Sequence, residues 1–239
     1  MSLPKFKTLE YQLNIPSTDE EITYRPFLVK EEKLLLIAHE TGNEKATFAA
    51  IKQLIKGCVV QELAVDTLPM FDVEYIFLNI RAKSVGEIAK LQIICPDDEK
   101  TTVNVEVDLT KINIEMDEKH NPRINLTDNI GILMSYPSLD IVQEHAVGAG
   151  TGDQATESLF NMIIECMYQI WEGEEVQDAS DFSKEEKMEF IDSLNHSQFG
   201  KIQEFFETMP ALKHEIKVTN PITKVKSTVT LQGIQSFFE

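Results

Sequence analysis

The hydrophobic period of this chain changes at short intervals, which restricts it to small β-units interleaved with helices. Leu9, Tyr11, Leu13 and Ile15 alternate with polar residues, Pro16-Ser17-Thr18-Asp19 supplies turn chemistry, and Ile22, Tyr24 and Pro26 alternate again. Period two marks half-buried strands, so residues 9–29 are expected to form a β-hairpin, with Pro26 at an edge or strand end. From Glu31 the spacing lengthens. Leu34, Leu35, Ile37 and Ala38 make an apolar helical stripe that Thr41-Gly42-Asn43 breaks. A second helix follows, with Phe48, Ile51, Leu54 and Ile55 inward and Gly57 closing it. Pro69 fits the first turn of a third helix carrying Phe71, Val73, Tyr75, Phe77, Leu78 and Ile80. That helix is apolar around much of its circumference, so a central place is expected for it.

Period two then returns. Leu91, Ile93 and Cys95 read as a strand, Pro96-Asp97-Asp98-Glu99-Lys100 as a turn, and Val103, Val105, Val107 and Leu109 as the return strand. Ile112, Ile114, Ile124 and Ile132 mark further short strands, and Ser138 to His145 a short helix. Gly148-Ala149-Gly150-Thr151-Gly152 is the best boundary or hinge. Beyond it, Leu159, Phe160, Ile163, Ile164, Met167, Ile170 and Trp171 fit one long amphipathic helix, ended by Glu172-Gly173-Glu174-Glu175. Ser183 with Glu186 three residues on is a capping box, leading into Phe190, Ile191 and Leu194. A last helix from about Ser197 to Met209 buries Phe199, Ile202, Phe205 and Phe206 and stops at Pro210. His214, Ile216 and Val218, a turn at Asn220-Pro221, and Val225, Val229 and Leu231 form the closing β-region. It repeats the plan of the region around Cys95, a weak internal repeat.

No run of about 18 apolar residues is present, so no membrane-spanning helix is expected. Met1-Ser2-Leu3-Pro4-Lys5 has no apolar core of signal-peptide type. A net charge of −18 repels phosphate backbones and anionic lipid, so neither nucleic acid nor membrane is an expected partner. Three widely spaced cysteines, Cys58, Cys95 and Cys166, suggest a reducing compartment and no disulfide framework.

The chemistry-bearing patterns are incomplete. The glycine run lacks the Gly-Lys-Ser/Thr end of a phosphate loop and is followed by Asp153. Cys95-Pro96-Asp97-Asp98 offers one thiolate where a zinc knuckle has two, Asn220-Pro221-Ile222-Thr223 offers none, and His120 and His214 are wrongly spaced to complete a site. Glu172, Glu174, Glu175, Asp178 and Asp181 do not follow the calcium-loop order and read as a solvated loop. The five histidines are scattered without a local nucleophile motif. No catalytic residue, cofactor or metal is expected, and the chain is read as not an enzyme. The partner-binding candidates are Phe205 and Phe206, whose neighbouring rings cannot share one helix face, and Phe237 and Phe238.

Tyr24-Arg25-Pro26-Phe27-Leu28-Val29-Lys30-Glu31-Glu32-Lys33-Leu34-Leu35, Asp72-Val73-Glu74-Tyr75-Ile76-Phe77-Leu78 and Ile80-Arg81-Ala82-Lys83-Ser84-Val85-Gly86-Glu87 together resemble the baseplate hub proteins of T-even-like bacteriophages. Phe182-Ser183-Lys184-Glu185-Glu186-Lys187, Phe205-Phe206-Glu207-Thr208-Met209-Pro210 and Lys213-His214-Glu215 extend the resemblance over roughly residues 20–238. It implies a hub subunit or hub assembly chaperone, working through contacts with other hub or tail proteins in the host cytoplasm or in the tail baseplate. Members of that family often carry Cys-Pro-x-Cys knuckles at two β-turns. Here Asp98, Asn220 and Thr223 stand in three of the four cysteine positions, which implies hairpins held without zinc.

The expected fold is therefore α+β, with helices packed around small antiparallel β-units and two similar, degenerate zinc-ribbon-like hairpins. Residues 1–147 are expected to hold the first hairpin, 148–153 a flexible linker, and 154–239 a helical half with the second hairpin. The alternative function is an intracellular adaptor module with a degenerate zinc ribbon and no viral role.

Overall fold

A computed structural model describes residues 7–146, 153–233 and 236. It is α+β, with seven helices and eleven strands in small antiparallel sheets among the described residues. The contacts gather into two compact units, 1–65 with 71–115 and 211–239, and 66–70 with 116–210.

The first unit opens with the expected hairpin, β1 (Tyr11–Asn14) against β2 (Glu21–Tyr24), in the register Tyr11 to Tyr24. Helix α1 (Val29–Thr41) ends at Gly42 in the left-handed region, and α2 (Glu44–Cys58) starts from Asn43, whose side chain accepts from the Lys45 N–H. Gly57 does not close α2. It lies inside the helix, where an added Cβ would press on Glu31 Oε1 at 3.3 Å. The α1 stripe is also redrawn. Ala38 is buried and Leu34 and Leu35 are half-buried, but Ile37 is 61% exposed. Four consecutive apolar residues, Leu34 to Ile37, span every side of a helix, and one packing face cannot take them all.

Helix α3 (Met70–Val85) begins directly after Pro69 and buries Phe71, Val73, Ile76, Phe77, Leu78, Ile80 and Ala82. Strands β3 (Ile88–Ile94) and β4 (Thr102–Asp108) form the second hairpin, and β10 (Ala211–Thr219) and β11 (Lys226–Gln232) the third. The third hairpin, placed by the sequence in a C-terminal half, groups with the first unit. β10 pairs with β5 (Ile114–Glu115), and Leu212 and Leu231 join the core of Leu78, Leu91, Val107 and Leu109. Of the isoleucines expected in strands, Ile112 lies just before β5 instead.

The second unit contains β6 (Arg123–Asn125), β7 (Ile130–Met134), β8 (Met167–Glu172) and β9 (Glu175–Asp178) in that order. Helix α4 (Leu139–Ile141) continues as a π turn over Val142–Ala146. Helix α5 (Asp153–Glu165) stops six residues short of Trp171. The expected long helix is thus a helix followed by a strand. Met167 to Glu172 pairs with both β7 and β9, and Gly173, at φ +61°, turns the β8–β9 hairpin. Helices α6 (Lys184–Asp192) and α7 (His196–Thr208) follow expectation, and Ser183 and Glu186 form the capping box. The glycine run at 148–152 lies outside the described residues.

Candidate functional site

Three turns in the first unit share one construction: Ile15-Pro16-Ser17-Thr18-Asp19, Cys95-Pro96-Asp97-Asp98-Glu99 and Asn220-Pro221-Ile222-Thr223-Lys224. In each, the N–H of the fifth residue donates to the carbonyl of the first, at 2.8, 2.9 and 3.0 Å. The fifth residue is left-handed each time, with φ of +57°, +54° and +64°. The first is buried each time, at 1%, 0% and 1% exposure. Proline in second place pre-sets the bend. Sequence comparison of the later two turns missed the first, although its Pro16 was the available signal.

Two of these turns meet. Asn220 Nδ2 donates to both carboxylate oxygens of Asp97, at 3.1 Å each, and to Asp98 Oδ2 at 3.0 Å. Thr223 Oγ1 donates to Asp97 Oδ2 at 2.5 Å. Asn220 Oδ1 accepts from the Ile222 and Thr223 N–H groups, so the buried amide is used at both ends. Asp98 also accepts from Thr101 Oγ1 and from the Thr101 and Lys100 N–H groups. Those bonds, the Thr101 hydroxyl foremost, hold its carboxyl far below the usual range. Burial, with Asp97 and Asp98 nearby, pushes the Cys95 thiol up. The cluster therefore offers one thiol that resists ionisation, two carboxylates and an amide already committed to one another, a poor donor set for tetrahedral zinc. The sequence marks Asp98, Asn220 and Thr223 as places where cysteine is missing, but not Asp97 or Thr101, and nothing in it signals that the two turns touch.

The first turn, at Ile15 to Asp19, is anchored separately. Ser17 N–H donates to Asp72 Oδ1 at 3.1 Å, and its hydroxyl to Asp72 Oδ2. Asp72 is fully buried, and burial, only partly offset by Ser17, raises its carboxyl. Beside it in sequence order, Arg25 donates to Glu31 Oε1 at 2.9 Å, to the Gly57 carbonyl at 2.5 Å and to the Pro26 carbonyl at 2.9 Å. Glu31 is 3% exposed. Burial works to raise its carboxyl, but Arg25, the Leu28 N–H and Lys30 outweigh it and leave it lowered.

In the second unit His120 bonds Thr208 Oγ1 at 3.0 Å and Tyr136 Oη at 3.1 Å, stacks on the Tyr136 ring and lies tilted against Phe205. Burial lowers its pKa. Glu144, His145 and Glu165 bring ligand-type atoms within 4.8 Å of one another, and His145 already bonds Glu165 at 2.8 Å. The acidic residues 172–181 occupy the β8–β9 hairpin and the turn after it, largely exposed. Cys58, Cys95 and Cys166 are all free and buried, with Cys58 and Cys166 pushed up by burial to about 11 and about 12.

Of the partner-binding candidates, Phe205 is 2% exposed in the second unit's core, and Phe206 packs edge-on against it at 5.0 Å. Phe237 and Phe238 lie outside the described residues. Exposed apolar residues lie in several other places, and among them Val29, Leu36 and Ile37 on α1 and Val85 on α3 are each more than half exposed. Leu36 and Val85 line a furrow of about 380 Å³ that is also lined by Glu44 and Thr47 at the start of α2. Among the described residues no helix is long and apolar enough to cross a membrane.

No curated protein and no solved structure matches the chain. A family model described as T4 bacteriophage base plate protein matches residues 8–239.

Proposed function

This chain belongs to the T4 bacteriophage base plate protein family, and we propose that it helps build the central hub of the tail baseplate, as a hub subunit or as a chaperone of hub assembly. It acts by binding other baseplate or tail proteins and catalyses no reaction. The observation that carries this reading is a match spanning both units, joined to apolar residues of α1 that the described residues leave exposed. The histidines with side-chain bonds, His120 and His145, spend them on Thr208, Tyr136 and Glu165, which supports positioning in place of proton transfer. A charge of −18 supports protein partners over nucleic acid or lipid. We read the paired turns at Cys95 and Asn220 as a metal-free descendant of a zinc-knuckle pair.

The test is co-expression with the other baseplate proteins of the same phage. A stable complex with at least one is expected, and the protein content of finished tails separates the two roles: a subunit remains, a chaperone leaves. Absence from every baseplate complex and from finished tails defeats the proposal.

A further inference from the structure

The furrow in the first unit is walled by Leu35 and Leu36 of α1 and by Phe77, Arg81 and Val85 of α3. On α1, Glu32, Leu36 and His39 recur at steps of four and three, so they form one stripe along the furrow's lip. On α3, Phe77, Arg81 and Val85 recur at steps of four. Phe77, 1% exposed, forms the floor, Glu44 and Thr47 of α2 close one end, and the rims at Leu36 and Val85 leave an apolar furrow of the kind that takes the apolar side of a helix. Arg81 adds a chemical requirement. It is half-buried, and among the described residues no hydrogen bond or ion pair engages it. Burial alone acts on it and draws its pKa down. A guanidinium partly withdrawn from water and given no carboxylate is an unfinished pair. The exposed carboxylates Glu32 and Glu44 line the same furrow.

We propose that this furrow is the docking site for an amphipathic helix of another baseplate protein, whose apolar face carries a central carboxylate for Arg81 and a flanking lysine or arginine for Glu32 or Glu44. A second copy of this chain fits poorly, because it would bring Glu32 and Glu44 against their like and add −18 to −18. Apolar contact supplies the affinity, and the Arg81 pair fixes the register.

This rests on the assembly reading above, and the experiment separates the two. Leu36→Asp and Arg81→Gln are co-expressed with the baseplate proteins, and a photo-crosslinking residue is placed at Val85, which lines the furrow and is 66% exposed. Leu36 is 56% exposed, so Leu36→Asp should leave the melting temperature unchanged while weakening the complex about a hundredfold. Arg81→Gln should weaken it about tenfold. The crosslink should map to a partner helix bearing Asp or Glu, and Arg81→Glu should be rescued by a basic residue there. A complex that survives Leu36→Asp unchanged overturns the furrow but leaves the hub role standing. A wild-type chain that forms no complex overturns both. Crosslinks to a second copy, or to residues 234–239 of the same chain, also overturn the proposed occupant.

Discussion

Gly131 is where one missing side chain decides a whole unit. It sits opposite Trp171 in the β7–β8 register, and a Cβ there would overlap the Trp171 ring and the Ile124 carbonyl. The ring is covered on another side by the Arg123 guanidinium, 4.2 Å from its centre. Gly131→Ala should therefore cost about 1–3 kcal/mol through overpacking. It should also shift the fluorescence of Trp171, which is the chain's one tryptophan, so a melt followed by that signal reads the site directly. An unchanged melt and spectrum would refute the close packing. A glycine between Ile130 and Ile132 was a legible sign of close approach, but what approaches it was not. The same limit applies to Asp72. It reads as one polar residue in an apolar helix, and its partner Ser17 lies 55 residues away.

Most elements were legible from their period, because a buried face must repeat at the spacing of its backbone. The exception is β8. Ile163, Ile164, Met167, Ile170 and Trp171 satisfy a helical spacing, so the local pattern favoured continuing α5. Pairing on both edges, with β7 and β9, overrides it. The paired turns show the opposite balance, since their repeat was visible and their joining was not. Asn220 is 1% exposed and bonds two carboxylates. Asn220→Ala should cost about 2 kcal/mol, near the lower end for bonds to charged groups because Asp97 is exposed. A chelator should leave the wild-type melting temperature unchanged, and elemental analysis should find no stoichiometric zinc. A chelator-induced drop would mean that these residues hold metal after all.

For the whole molecule, acid should act through carboxylates whose folded pKa lies below the ordinary value. Asp108, held by Thr110 and then Lys111, falls from 3.8 to about 2, and Asp98, Glu31 and Glu186 are also lowered. The unfolded chain binds protons at these groups more readily, so their contribution is full above the ordinary carboxylate range and is lost as pH falls through the folded values. His120 works in the same direction at higher pH: its lowered pKa favours the neutral ring, so stability begins to fall below about 6.5. Asp72 is raised and opposes them, because its contribution is full in acid and lost as pH rises. Asp108→Asn should therefore flatten the stability profile between 3.8 and about 2, as read by urea melts at successive pH values. A profile identical to wild type would remove Asp108 from the acid limb. The grouping of β10 and β11 with residues 71–115 also has a consequence for synthesis. Leu78, Leu91 and Val107 leave the ribosome well before Leu212 and Leu231, which complete their core. At about 5–20 residues per second, the interval is roughly 5–25 s, during which the nascent first unit exposes unfinished apolar surface, the condition in which a growing chain is open to misassembly.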